Sequence, residues 1–210
     1  MSDSTQAKVP IAVLISGRGS NMVSLVEAVK AGSLAADVRV VLSNKPTAAG
    51  LEWAAERGVP TAILSHKDFA SREEFDTALA NELEGRGVRY VALAGFMRVL
   101  TPAFLGRFSG RVINIHPALL PSFPGMNVQQ KAIDYGVRHS GCTVHFVDEG
   151  VDTGAIIAQA VVPILDDDTA DSLAARILEQ EHRIYPLALD AVLSGRVRME
   201  GRRVLGTGIE

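Results

Sequence analysis

The chain has 210 residues, 47% of them hydrophobic, enough for one sizeable domain with a buried core. Twenty-one Lys and Arg against 24 Asp and Glu give a formal charge of -3, which argues against a nucleic-acid-binding surface and leaves local phosphate pockets open. No apolar run reaches the ~18 residues of a membrane span, and the start Met1-Ser2-Asp3-Ser4-Thr5-Gln6 lacks a basic segment followed by an apolar one. A cytoplasmic chain is expected, with a disordered segment over residues 1–8 and one domain over 9–210.

Val9 to Ile15 is an apolar run closed by Ser16-Gly17-Arg18-Gly19-Ser20, and from Asn21 onward Met22, Leu25, Val26 and Val29 fall at helical spacing. The pattern predicts strand, glycine turn, helix. It continues as strand Val38 to Leu42, helix Ala48 to Arg57, strand Thr61 to Leu64, helix Ser71 to Glu84, then strands Val88 to Ala94 and Arg111 to His116. Strands alternating with helices imply an α/β fold, a mostly parallel twisted sheet with helices on both faces. From Ser140 the texture changes. Thr143 to Val147 and Ala155 to Pro163 read as neighbouring strands joined by a loop, so this part is expected to be antiparallel or mixed. Asp166-Asp167-Asp168-Thr169 precedes a long helical pattern with Thr169 as cap, Pro186 as an expected kink and Gly195 as its end. Arg196 to Met199 and Arg202 to Leu205 flank Glu200-Gly201 as a terminal hairpin. Its arginines read as a solvated face, with RNA contact as the alternative.

Asn114-Ile115-His116-Pro117, followed by Pro121 and Pro124, is the most informative stretch. The period-2 alternation of a strand puts Asn114 and His116 on one face and Ile113 and Ile115 on the other. Pro117 biases His116 away from helical angles, so the imidazole should sit at a strand's C-terminal end beside a stiff loop, where open α/β sheets build sites. A carboxamide donor and an imidazole suit carbonyl-group transfer through an oxyanion; a pair of satisfied polar groups near a sheet edge is the alternative.

Gly17 and Gly19 lack the third glycine of a dinucleotide fingerprint, position 22 being Met, and a Walker lysine is absent. A single phosphate on Gly19, Ser20 and Asn21 fits better, against a plain tight turn. Asp148-Glu149-Gly150-Val151-Asp152-Thr153-Gly154 groups three carboxylates after a strand, without calcium-loop or His-pair metal spacing. Glu181 lies within or beside the helical arc of Leu173, Ile177, Ile184 and Ala191, where a carboxylate needs a partner: substrate hydroxyls or an arginine. His182 is expected to face solvent, and His66, His139 and His145 read as structural. Cys142 is the single cysteine, which excludes an internal disulfide and any multi-cysteine metal site; it reads as a small buried strand residue.

Taken together, Ile15-Ser16-Gly17-Arg18-Gly19-Ser20-Asn21, Ala94-Gly95-Phe96-Met97-Arg98, Asn114-Ile115-His116-Pro117, Leu119-Leu120-Pro121, Phe123-Pro124-Gly125, His145-Phe146-Val147, Asp152-Thr153-Gly154 and Gln180-Glu181-His182 resemble the glycinamide ribonucleotide formyltransferases, the folate-dependent enzymes of purine synthesis. The resemblance runs from about residue 10 to residue 206. It implies a Rossmann-like formyltransferase fold, with a phosphate-binding half over about 9–108 and a folate and catalytic half over about 109–210. It implies Asn114, His116 and Asp152 as catalytic residues, and Gly19, Ser20, Asn21 and Glu181 as binding phosphoribosylglycinamide. The folate pocket would use Arg72, Met97, Arg98, Val99, Leu100, Asn114, Val147, Asp148, Glu149, Gly150, Val151 and Asp152. The co-substrate implied is 10-formyltetrahydrofolate, with small-molecule substrates, no metal, no nucleic acid and no membrane; a homodimer is compatible with it.

Methionyl-tRNA formyltransferase and formyltetrahydrofolate hydrolase share the Asn-x-His-Pro core. Both are expected to carry a further domain, and a chain whose first strand starts near residue 9 and which ends at 210 favours the purine enzyme. A non-catalytic phosphosugar or folate binder is the reading from a different class. Asn127 and Gln129 stand where many relatives have histidine, and Ala155 where proline is common. Asn127 can hydrogen-bond but cannot titrate, so an active enzyme with altered affinity or pH dependence is expected.

Overall fold

The computed structural model describes residues 8–206; the expected disordered start falls almost entirely outside them. The element order is β1 (Val9–Ile15), α1 (Ser20–Lys30), β2 (Ala36–Ser43), α2 (Ala49–Glu56), β3 (Thr61–Ile63), α3 (Arg72–Gly85), β4 (Tyr90–Leu93), α4 (Pro102–Leu105), β5 (Val112–His116), α5 (Val128–Tyr135), β6 (His139–Phe146), β7 (Ile156–Pro163), α6 (Ala170–Leu193), β8 (Val197–Glu200) and β9 (Arg203–Gly206). One sheet runs β3-β2-β1-β4-β5-β6-β7-β9-β8. The first five strands of that order are parallel, β6 is antiparallel to both neighbours, and β9 with β8 closes the far edge as a hairpin. Helices cover both faces, as the sequence pattern predicts.

The continuous apolar run of β1 follows from burial on both sides. Ile11, Val13 and Ile15 enter a core shared with α1, α2, α5 and α6, while Ala12 and Leu14 enter a second core with Phe75, Leu79 and Leu83 of α3 and Phe104 of α4. On β5 the same alternation sends Ile113 and Ile115 into the first core and leaves Asn114 and His116 on the opposite side.

Two helices escape the sequence pattern. α4 is a single turn, and α5 carries only Val128 and Ala132 as a buried stripe between polar residues. α6 runs unbroken through Pro186, where the sequence predicts a kink; the ring removes one helical donor without ending the helix. Thr169 caps α6 in a reciprocal box with Ser172, and Gly195 at φ +70° follows its end. His182 departs from expectation. It is half-buried, its Nε2 is shut away with no hydrogen-bond partner among the described residues, and burial pushes its pKa down.

Tyr185 fixes α6 under the site: its hydroxyl, fully buried, reaches the carbonyls of Leu93 on β4 and Ile113 on β5, both at 3.0 Å. Among the described residues no helix is long and apolar enough to cross a membrane.

Candidate active site

The four residues that meet at the end of β5 arrive by three different routes. Asn114 and His116 come from β5 itself. His145 comes from β6, because antiparallel pairing sets it directly across from Asn114. Asp152 comes from the loop after β6, and its path is indirect. The Val147 N–H binds the Val112 carbonyl at 2.9 Å, so the chain leaves the sheet at the start of β5 and must double back to reach its end. Gly154 permits the reversal. A Cβ there would stand 1.7 Å from the Phe146 carbonyl oxygen, so only glycine fits.

Asp152 Oδ2 lies 3.4 Å from His116 Nδ1 and Oδ1 lies 3.8 Å from His145 Nε2. Its conformation, φ +55°, is one that a non-glycine residue adopts rarely. The Gly125 N–H holds the same Oδ2 at 2.8 Å. His116 is 4% exposed, and its Nε2 lies 3.0 Å from the Phe123 carbonyl. Both ring nitrogens therefore have partners, and a doubly protonated ring would donate to each. The loop between β5 and α5 supplies the carbonyl and the amide, with Phe123 at φ +52° and Gly125 at φ +84°. Thr143, the register partner of His116, braces this loop by donating to the Ala118 carbonyl at 2.7 Å and accepting from the Leu120 N–H at 3.0 Å.

His145 is buried, and burial pushes its pKa below the ordinary imidazole value, outweighing the Phe146 carbonyl and the Asp152 charge that act the other way. The neutral ring donates from Nδ1 to the Phe146 carbonyl at 2.8 Å, which leaves Nε2 as an acceptor. Asn114 Nδ2 donates to it at 3.2 Å. Sequence reasoning read His145 as structural. The signal that would have found it is the β5–β6 register, which no spacing in the sequence reveals.

These groups border a cavity of about 470 Å3. Met97, Arg98, Val99 and Leu100 form one wall; Val147, Asp148, Gly150, Val151 and Asp152 form another. Asn127 and Gln129 also face it. Arg72 and Glu149 do not border it. Arg72 instead reaches the wall from α3, donating to the Val99 carbonyl at 2.7 Å. Beside it on α3, Phe75 lies under the Arg98 guanidinium at 4.9 Å, and Asp76 accepts from the Thr101 N–H at 2.5 Å.

Gly19, Ser20, Asn21 and Glu181 form a separate group. Gly19, at φ +71°, precedes α1 without any side-chain cap, leaving first-turn N–H groups to bind an anion. Asn21 Nδ2 donates to Glu181 Oε2 at 2.8 Å, so the partner that a buried carboxylate requires is an amide, not an arginine. Glu181 is 6% exposed; burial raises its pKa, partly offset by the Asn21 bond. Asn21 Oδ1 is buried and has no hydrogen-bond partner among the described residues. Ser16 ties this turn to the cavity: its hydroxyl donates to Asn44 Oδ1 at 2.6 Å and accepts from the Met97 N–H at 2.9 Å. Cys142 is buried, with its thiol pushed up to about 12, first by burial and then by Glu181, so it is inert as a nucleophile.

Residues 9–189 match the formyl transferase family model. The trifunctional purine biosynthetic protein adenosine-3 of Drosophila melanogaster is 52% identical over 193 residues, covering 91% of this chain. The chain spans only 14% of that much longer relative. Phosphoribosylglycinamide formyltransferase of Haemophilus influenzae is 44% identical over 190 residues, 90% of each chain. The crystal structure of glycinamide ribonucleotide transformylase 1 from Symbiobacterium toebii superposes with a TM-score of 0.94 at 45% identity, covering 96% of this chain and 95% of that one.

Proposed function

The chain belongs to the formyl transferase family, and from that premise we propose that it moves the formyl group of 10-formyltetrahydrofolate to the amino group of 5'-phosphoribosylglycinamide. The products are the formylglycinamide ribonucleotide and tetrahydrofolate, in purine biosynthesis. The observation that carries this reading is Asp152 held 3.4 Å from His116, beside Asn114, on one cavity wall.

The cavity fits a folate. Its volume is within the range typical of small-molecule sites, and its exposed Met97, Met126 and Val151 offer an apolar seat near the polar end. In this reading Met97 to Leu100 and Val147 to Asp152 bind the folate, with Glu149 contributing backbone. Arg72 shapes the rim through Val99 and faces the ligand's anionic end. Gly19, Ser20 and Asn21 take the ribose phosphate, and Glu181 accepts from ribose hydroxyls. Residues 9–210 act as one formyltransferase domain on small molecules, in the cytoplasm, without nucleic acid, membrane or metal.

Attack of the amine on the formyl carbon makes that carbon tetrahedral and its oxygen negative. Asn114 Nδ2 has one N–H on His145 and a second to give to that oxygen. His116 gives the other hydrogen bond from Nε2, for which the ring must share or release the Phe123 carbonyl. Asp152 supports the imidazolium and, with water, carries the proton from the amine to the departing folate nitrogen.

Purified chain supplied with 10-formyltetrahydrofolate and, separately, phosphoribosylglycinamide, water or charged initiator tRNA tests the proposal. Formyl transfer to phosphoribosylglycinamide alone is expected. Turnover only with water or tRNA, or ligand binding with no product from any acceptor, overturns it.

A further inference from the structure

The loop that delivers Asp152 is a partition with space on both sides. Val147 and Asp148 border the catalytic cavity and also a second cavity of about 390 Å3 behind it, closed by Leu105, Gly106 and the terminal hairpin. At the loop's base Val147 packs against the second core, while Asp148 to Val151 beyond it are exposed. Within the loop, Asp148 Oδ1 accepts from the Thr153 hydroxyl at 2.6 Å and from the Gly150 N–H at 3.2 Å, which gives it internal shape but not a fixed place. From the hairpin turn Arg202 crosses the gap: its Nη2 donates to the Thr153 carbonyl at 2.9 Å, one residue beyond Asp152. Among the described residues the hairpin meets the rest of the sheet through the pairing of Ile156 with Arg203, the residue next to Arg202.

We propose that Arg202 is a positioning residue: by donating to the Thr153 carbonyl it fixes the 148–154 loop in place between the two cavities and so keeps Asp152 at His116. This turns one arginine of a hairpin with no other assigned role into part of the catalytic support. The kinetic consequence rests on the formyl-transfer reading; the effect on the loop does not.

The test compares Arg202→Ala and Arg202→Lys with Arg198→Ala, whose side chain pairs with Glu200 in the same hairpin. Amide hydrogen exchange over 148–154 is measured together with kcat and KM for each substrate. A net hydrogen bond of this kind shifts an equilibrium by about two- to tenfold. Arg202→Ala is expected to speed exchange in the loop by that factor and lower kcat similarly. KM for the phosphoribosyl substrate should stay unchanged. Arg202→Lys should recover part of each change, and Arg198→Ala should match the parent. A lower melting temperature in Arg202→Ala, with loop exchange and kcat unmoved, would reduce Arg202 to a structural hairpin residue and overturn the proposal. Absence of formyl transfer in the parent, with the exchange response intact, would reject the reaction and leave the clamp standing.

Discussion

Asn114 and His145 face each other across the β5–β6 pair, joined by a 3.2 Å hydrogen bond that sets which end of the carboxamide points into the cavity. The bond exists because His145 is neutral: its Nδ1–H is taken by the Phe146 carbonyl, and Nε2 can only accept. Protonation would set one donor against another, so the orientation of the amide proposed to be catalytic depends on a histidine buried beneath it.

That dependence has a sign in pH. The folded pKa of His145 lies below its ordinary value of 6.5, so its contribution to stability is present above pH 6.5 and is lost as pH falls through the folded value. Urea unfolding at pH 7.5 and pH 5 should give a smaller difference in His145→Gln than in the parent chain, and Asn114→Ala should lower kcat by about 10²–10³. An unchanged pH difference in His145→Gln would contradict the assignment.

His116 and Asp152 should behave as one unit. Each alanine substitution is expected to lower kcat by about 10²–10⁴, with the double variant little worse than the poorer single one. Multiplicative losses in steady-state kinetics would mean that the two act independently.

In its proposed ribose-binding role Glu181 exchanges stability for binding. Its raised pKa means that the stability it lends is full below its ordinary value of 4.5 and is lost as pH rises through the folded value. Glu181→Gln keeps an acceptor for Asn21 without a buried charge. At pH 7.5 it should unfold about 2–4 °C higher for each kcal/mol gained, while KM for phosphoribosylglycinamide rises. The thermal gain should shrink as pH approaches 4.5. A lower melting temperature at pH 7.5 would refute this account.

Gly50, at the start of α2, lies against the Gly17–Gly19 turn proposed to hold the ribose phosphate. A Cβ there would stand 2.6 Å from Ile15 Cδ1 and 3.0 Å from the Arg18 carbonyl oxygen. Gly50→Ala should destabilise the chain by about 1–3 kcal/mol and raise KM for the phosphoribosyl substrate more than KM for the folate. Equal changes in both constants would argue against an anion site at Gly19.

Asn127 borders the cavity at φ +57°, a conformation that histidine tolerates. Asn127→His puts a titratable ring there and should change the pH dependence of kcat/KM between about pH 5 and 8. An unchanged profile would show that this position does not tune turnover.

The strands, the α/β alternation and the antiparallel change after Ser140 were readable because each depends on local periodicity, which burial on one or both faces imposes directly. Asn114 and His116 were readable together for the same reason, as neighbours on one strand face. Asp152 and Glu181 entered as site residues through resemblance, and α5 was missed because Val128 and Ala132 make too short a stripe. His145 was readable as a structural histidine, but its bond to Asn114 was not.

What the chain determined unaided is therefore what lies within one element: strand faces, helix caps, the glycine turn, the inert Cys142. Tertiary structure decided what depends on groups far apart in sequence. The β5–β6 register chose the partner of Asn114. The doubling back at Gly154 brought Asp152 to His116, and α6 paired Glu181 with Asn21 across 160 residues. No local pattern encodes these contacts, because each forms only after separate elements have buried their apolar faces against a common sheet.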